Sequence, residues 1–419
     1  MSELNNTTDY TPIKLEIIPQ HGTGTPVKIH QIMTEIHIYE DMYKPFLTGT
    51  IALMDGVGLA SKLPISGEEH LEIVFETPGG ETIEQSFYIY KVSNRSDANE
   101  MQLLVCHFCS HEMMKNAKTS ASFGFNGELL SDMAQKVFDE FIVVDKEIDI
   151  EPTLMPRRMS FPNWSPSKIM LSMAKTAQSA AHPAGSDYRF WEDMKGFHFR
   201  SIQSLIEDIE PIRDSDLREI LHRTPQNVQS NTPNAMQAIE EFRIIAQNNN
   251  LQQILSGAMA NTMNVFDPVL GSVTKVETKL ADIFESFKSL EPNLNVGAEA
   301  INNLMEPGSN IRVLLTDAAE EFASGIEEFA PTQIAQQALF GSTKIDLQLP
   351  GNSNRCIGDV VELRLPSPGP RETEGPVLDN QMSNNAMITA INHTFTRGTY
   401  RQIVQVVKDS SFEEIKTEE

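Results

Sequence analysis

The chain has 419 residues, 40% hydrophobic and 22% charged, an ordinary globular composition with room for about two to four domains. Its 33 basic residues stand against 58 acidic ones, a net charge of −25, which is the opposite of the basic face that grips nucleic-acid phosphates. No run approaches the roughly 18 apolar residues that span a bilayer. The polar start MSELNNTTDYTPIK has no signal-peptide pattern, and three cysteines build no disulfide framework, pointing to a reducing cytoplasm.

In chain order, residues 12–19, 27–39 and 47–54 read as strands, with turns at HGTGTP and at the Tyr43–Pro45 corner. Leu71, Ile73 and Phe75 alternate with Glu72, Val74 and Glu76, as on a strand with one buried face. The segment GELLSDMAQKVFDEF sets Leu130, Met133, Val137 and Phe141 at helical spacing. Ser165 and Pro166 form a helix start before KIMLSMAKTAQSA. YRFWEDMKGFHF reads as a hairpin turning near Lys195 and Gly196, after which Ser201 caps a helix over IQSLIEDI. Residues 210–236 are polar and proline-punctuated, a connector. Beyond it, Leu280, Ile283, Phe284 and Phe287 form one helical stripe and Ile334, Ala338 and Leu339 another, stopped by Gly341 as a C′ residue. The acidic segment DAAEEFASGIEEFA reads as a helix, and the end EEIKTEE as frayed.

The chain also repeats itself. GEEHLEIVFETPGG (67–80) returns as GDVVELRLPSPGP (358–370), and YIYKVSNRSDANEMQLLVCHFCS (88–110) as MITAINHTFTRGTYRQIVQVVKDS (387–410). A third block, EIHIYED…FLTGTIA from Glu35, matches EFRIIAQ…ILSGAMA from Glu241. The buried positions recur as Val361, Leu363 and Leu365 while the exposed ones, Glu362 among them, drift. Each copy ends in a hairpin, with loops at Arg95–Glu100 and Thr396–Gly398. This predicts an α+β chain of two duplicated antiparallel β domains. The first spans 8–118, and the second is split between 237–276 and 340–412. A helical and mixed region with its linker occupies 119–236, a helical insertion 277–339 and a flexible tail 413–419.

Catalytic signatures are scarce. The GTG near His21–Thr25 lacks the βαβ setting of a dinucleotide site, and Walker, HExxH and GxSxG patterns do not occur. The acid pairs Glu320–Glu321 and Glu327–Glu328 fit a solvated helix face. Cys106, His107, Cys109 and His111 hold zinc-type ligands within a few residues, but an extended strand spaces alternate side chains by roughly 7 Å, too far for one ion. The second copy carries Val406, Val407 and Asp409 near those places, so no metal, cofactor or catalytic residue is assigned.

The stretch IHIYEDMYKPFLTGTIALMDGVGLASKLPISGEEHLEIVF resembles the opening of baseplate central hub proteins of contractile-tailed bacteriophages. YRFWEDMKGFHFRSIQSLI is similar to that family's aromatic hairpin and helix, and IGDVVELRLPSP…AMITAINHTFTRGTYRQIVQVVKDS to its closing strands. The resemblance implies two tail-tube-type β-barrel domains per chain and a homotrimer with pseudo-sixfold symmetry. Such a ring joins the tail tube to the central spike, contacts tape-measure and wedge proteins, and passes DNA without specific binding. It implies a virion baseplate component assembled in the host cytoplasm. The absence of a spike segment before residue 419 favours a separate spike over the fused hubs of type VI secretion or tail-like bacteriocins. The rival class is a metal-dependent enzyme using the Cys106–His111 cluster, and a carbohydrate-binding accessory role has only two tryptophans to stack on.

Overall fold

The computed structural model describes residues 8–19, 25–56, 58, 67, 69–77, 82–98, 101–183, 186–207, 219–222, 236–247, 249–267, 271–294, 311–315, 326–367 and 378–412. Residues 21–24 of the HGTGTP turn and the Glu320–Glu321 pair lie outside them, as do the side chains of Glu327 and Glu328. Among the described residues no helix is long and apolar enough to cross a membrane.

Strands β1 (Thr11–Ile18), β2 (Val27–Lys28), β3 (Met33–Asp41), β4 (Thr48–Asp55), β5 (His70–Glu76), β6 (Thr82–Ala98) and β7 (Met101–Cys109) come first. They pair in the order β3-β4-β7-β6-β5-β1-β2, all antiparallel. Period-two alternation builds this sheet: Leu71, Ile73 and Phe75 point into one core with Ile36, Ile38, Ile51 and Phe108.

The middle region begins with α1 (His111–Lys118), β8 (Ala121–Leu129) and α2 (Leu130–Val137), which runs on as a π turn over Phe138–Ile142. It continues through β9 (Ile148–Ile150), β10 (Pro156–Trp164), α3 (Pro166–Ala174), β11 (Tyr188–Glu192), β12 (Phe197–Ser201) and α4 (Ile202–Glu207). The predicted stripe is buried at Leu130, Met133 and Val137, with Phe141 partly buried on the same core. Gly127 and Leu129, however, close β8 rather than open the helix. The predicted hairpin turns as expected, pairing Glu192 with Phe197. The Ser201 hydroxyl accepts from the Ser204 amide at 3.2 Å, a side-chain cap on α4.

The connector contributes β13 (Glu219–His222), a strand the turn-rich composition does not announce, followed by β14 (Ala238–Ile239) and β15 (Glu241–Ala246). Next come α5 (Asn250–Ser256), β16 (Ala260–Asp267), β17 (Ser272–Lys279), α6 (Leu280–Ile283), β18 (Asn293–Leu294), β19 (Ile311–Leu315) and α7 (Ile326–Phe340). The chain finishes with β20 (Thr343–Pro350), β21 (Val360–Arg364), β22 (Asn384–Thr396), β23 (Thr399–Lys408) and β24 (Ser410–Ser411). Leu280, Phe284 and Phe287 pack together as the stripe predicts, while α7 buries Ala335 and Leu339 against them. Ile334 and Ala338 are only partly buried. The left-handed glycine that ends a helix here is Gly257 after α5 (φ 79°), and Gly341 ends α7 without a positive φ.

The second block pairs in the order β15-β20-β23-β22-β21-β13, the first five in the sequence β3-β4-β7-β6-β5 takes. Both blocks carry the same bulge, between Ile89 and Lys91 in β6 and between Ile388 and Ala390 in β22. Aligned on it, the row Ile36–Ile51–Cys106–Val92 falls on Phe242–Leu347–Val404–Ile391. Glu35 therefore matches Glu241, as the sequence suggests. The other half of that block does not hold: ILSGAMA belongs to the end of α5 and the start of β16, in a separate sheet with β17 and β19. The counterpart of β4 is β20, which follows the excursion rather than preceding it.

The two blocks do not form two closed barrels among the described residues. They join in one branched 14-stranded sheet, because β22 pairs β23 along one edge and both β21 and β3 along the other. The matched glycines Gly67 and Gly358 precede β5 and β21 with φ of 94° and 93°, a left-handed conformation that costs a side-chain-bearing residue about 1–2 kcal/mol. A Cβ at Gly358 would also sit 3.1 Å from Leu205, against 3.4 Å from the Tyr90 carbonyl at Gly67. We predict that Gly67→Ala and Gly358→Ala each destabilise by about 1–2 kcal/mol, Gly358→Ala more; denaturant unfolding of the two variants checks the order.

Candidate functional site

The chemistry-bearing side chains gather at the seam where β22 meets β3, and a hairpin clamps that seam from below. Residues Ala390–Thr396 pair with Asp41–Glu35 in unbroken register. Side chains cross with the strands. Phe395 and Tyr400 belong to the core of the first block, where Phe395 lies 4.5 Å from Phe75 and stacks on Tyr400 at 4.3 Å. Met42 in return sits in the core of the second block. The Tyr10 hydroxyl donates to the Thr396 carbonyl at 2.9 Å, closing the end of the seam.

Behind this apolar exchange lies a buried polar network. The Gln402 amide nitrogen donates to the Asn352 carbonyl (2.8 Å) and to the Tyr400 hydroxyl (3.0 Å), which lies 2.8 Å from His393 Nδ1. Arg355 donates to Gln402 Oε1 (2.6 Å) and to the carbonyls of Pro350 (2.8 Å) and Met236 (2.5 Å). Burial lowers the Arg355 guanidinium to about 10, against the opposing pull of Tyr400 and Asp359. Burial likewise raises the Tyr400 phenol, which Arg355 partly offsets. His393 Nε2 faces Glu40 at 3.6 Å, and the other Glu40 oxygen accepts from the Met194 amide at 2.9 Å.

Met194 belongs to the turn between β11 and β12, and this turn is the clamp. Glu192, fully buried, accepts from the Leu47 amide (2.8 Å), the Ser110 hydroxyl (2.7 Å) and Lys146 (2.8 Å). One carboxylate thus ties the start of β4 and the end of β7 to the middle region. Burial raises its pKa, with Lys146 opposing. Asp193 accepts from the amides of Lys195 (2.7 Å) and Gly196 (2.9 Å) and from His198 Nε2 (2.8 Å).

The zinc-type residues do not converge. Cys106 is buried in the first core, His107 bonds Ser93 (2.8 Å) across the strands, and His111 opens α1 with its Nε2 3.0 Å from Ser86. Burial pushes the Cys106 and Cys109 thiols up to about 12, away from the thiolate a metal needs. Among the described residues no group of three His, Cys, Asp or Glu side chains is placed to hold a metal ion. A cleft of about 480 Å³ opens between Tyr43, α3, β11 and α7, with Arg189 over the Tyr43 ring at 5.0 Å and tied to Asp187 at 2.8 Å. Glu362 stands exposed on the polar side of β21, 3.5 Å from Arg364, and its repeat counterpart Glu72 pairs with Lys14. Sequence reasoning missed Glu192, Arg355, Gln402 and His393; the signal for Glu192, Gln402 and His393 was a charged or polar residue in an apolar strand, and Arg355, in the loop between β20 and β21, carried none.

No family model matches the chain. Over 360 residues it is 19% identical to the probable baseplate hub protein gp334 of Vibrio phage KVP40, covering 82% of each protein. Among solved structures it is similar to the 43 kDa tail protein of prophage MuSo2 from Shewanella oneidensis, with a TM-score of 0.55 and 12% identity over 94% of this chain and 98% of that one. It is similar as well to the tail protein from Neisseria meningitidis MC58, with a TM-score of 0.56 and 10% identity over 96% and 97% of the two chains. The fold is that of a phage tail protein along nearly its whole length. The chain is a homologue of a baseplate hub protein, as the sequence resemblance implied.

The clamp has a pH signature. Burial alone pulls the His198 imidazole down, and the carboxylates of Asp149 and Asp193 overcome it, raising it from 6.5 to about 9. A group raised on folding stabilises fully below its unfolded value and loses that contribution as pH rises through its folded one. Melting temperature is therefore expected to fall between pH 6.5 and 9. His198→Gln should flatten that slope, and thermal melts of both proteins across this window check it.

Proposed function

We propose that this chain is a structural hub of a contractile phage-tail baseplate. Three copies form a ring in which each five-stranded block is a tail-tube-type module. Six modules then face the sixfold tail tube, while the threefold ring meets the central spike. The carrying observation is the doubled block: same strand order, same bulge, and the two copies already joined edge to edge by β22 and β3. The relationship to gp334 supports the baseplate, and the two tail-protein folds support the architecture.

In this reading residues 8–118 hold the first module, and the second, expected over 237–276 and 340–412, takes β15 from the earlier stretch and β20 to β23 from the later one. The 119–236 region and the 277–339 insertion decorate the ring and meet spike, wedge or tape-measure proteins. Catalysis has no part in the function. The protein belongs to the tail baseplate of the virion, assembled in the host cytoplasm. The ring is a passage for the tape-measure protein and then DNA, and a net charge of −25 supports a wall that does not hold phosphate. At about 0.15 M salt the Debye length is roughly 8 Å, so only charges on the wall itself act. The matched Glu72 and Glu362, half-buried on the polar faces of β5 and β21, are the first candidates for that wall.

Mass measurement on the purified chain is expected to give a trimer, with a ring in electron micrographs; a monomer stable at micromolar concentration would count against the ring. Phage carrying Glu72→Lys with Glu362→Lys should keep intact trimers and eject DNA more slowly, and unchanged ejection kinetics would remove these residues from the wall.

A further inference from the structure

We infer that a groove along α7 docks an extended, acidic segment of a partner protein, one that sets a large apolar side chain beside its carboxylates. This rests on the reading in which the middle region and the insertion meet other tail proteins, and it names the surface and the chemistry of one such meeting. The cleft of about 480 Å³ beside Tyr43 does not stop at α7. Ile334 and Gln337 line both it and a second hollow of about 570 Å³, set between α7, α5 and the start of β20. With α7 as the shared wall the two form one elongated groove, reaching from Tyr43 and α3 to α5.

Charge in the groove is the reverse of the chain's. Against a net charge of −25, the lining of the two hollows includes Lys175, Arg189 and Lys344 and, among the described residues, no Asp or Glu. Arg189 and Lys344 both stand over the Tyr43 ring, at 5.0 and 5.8 Å. The one acid nearby, buried Asp187, is already held by Arg189 at 2.8 Å and by Gln337 at 3.0 Å. Cations gathered around a partly desolvated cleft repel one another, and an anion seated among them relieves that repulsion. Tyr43, 42% exposed beneath its two cations, and Arg189 are residue types that carry binding energy at interfaces.

Two polar atoms in the groove have nothing to bond. Arg189 Nε in the Tyr43 cleft and Oε1 of Gln253, which lines the second hollow and is only 5% exposed, are both buried without a hydrogen-bond partner. Buried groups of this kind are paired in native assemblies as a rule. One is a donor and the other an acceptor, so a small anion answers only the first. A peptide answers both, with a carboxylate for Arg189 and a main-chain N–H for Gln253. Such an N–H is free in an extended segment and already spent within a helix. In the Tyr43 cleft Leu171, Phe190, Phe329 and Ala330 supply an apolar floor for the side chain beside the carboxylate.

The test places the photocrosslinker p-benzoylphenylalanine at Thr176, in the lining of the cleft, in the full chain assembled into phage. Whatever is joined to it under ultraviolet light is sequenced by mass spectrometry. The expected product is one protein segment with more acidic than basic residues and an aromatic or large aliphatic residue among the acids. Lys175→Glu with Lys344→Glu reverses the rim without touching Arg189 or its tie to Asp187, and should cut the crosslink yield about tenfold or more. Lys175→Glu alone, at an exposed position, should lower the yield several-fold, and it reads the charge even where the change at Lys344, packed over Tyr43, unfolds the chain. Yields that ignore the charge reversal overturn the docking. A basic segment, a second copy of this chain, or no crosslink from particles that contain the chain overturns it too and leaves the hub reading standing. Particles whose tails lack the chain altogether overturn both.

Discussion

The structure depends on how β22 spends its two edges. A strand buried in a sheet has to satisfy every backbone donor and acceptor on both sides. β22 gives one edge to β23 and divides the other, Asn384–Met387 to β21 and Ala390–Thr396 to β3. The bulge at Thr389 falls between the two stretches and lets one strand change partners without losing its pairing to β23. A one-residue slip at the seam would turn Phe395 out of the first core and bring Thr394 into it, so the register is held by burial as well as by hydrogen bonds. The relative position of the two blocks is therefore a property of the sheet itself rather than of a flexible linker.

What repeats and what does not divides by face. The inward row keeps its chemistry, Ile36–Ile51–Cys106–Val92 against Phe242–Leu347–Val404–Ile391. The neighbouring outward row does not: His37–Thr50–His107–Lys91 becomes Arg243–Asp346–Gln405–Ala390. A core constrains volume and polarity at every position, whereas an outward face is constrained only by what it touches. Divergence of the outward rows is what two modules with the same frame and different neighbours would accumulate.

The sequence made the strands of both blocks legible because one face of each is buried and period-two alternation reports that directly. The 188–201 hairpin was legible for the same reason, and the Leu280–Phe287 stripe because its apolar residues recur at helical spacing. Strand partnership was not. ILSGAMA resembles FLTGTIA in composition, yet its residues end a helix and enter another sheet, since alternation says that a strand is half-buried and not which strand lies beside it. The short β13 inside a proline-rich connector was hidden because a four-residue strand carries too little pattern to outweigh its surroundings. The polar network at the seam was hidden for other reasons: His393 and Gln402 sit where periodicity assigns either a surface or a core, and Arg355 sits in a loop, where periodicity assigns nothing. Burial of such groups is tolerated only when their partners arrive from elsewhere in the chain.

The distribution of perturbed groups speaks to the kind of work the protein does. In catalytic sites perturbed acids and bases converge on one cleft, where a substrate meets several of them at once. Here several of them are fastened to the backbone of another element. Glu192 holds the Leu47 amide; Asp409, raised by burial to about 6, holds the Leu290 amide; Arg355 holds the Pro350 and Met236 carbonyls. Lys408, lowered by burial to about 8, donates to the carbonyls of Gln381 and Ser383. A charged group spent on backbone atoms has few lone pairs or protons left for chemistry, but it fixes two elements in a direction that apolar contact alone does not specify. Clasps of this kind keep the insertion, the middle region and the two blocks at set angles.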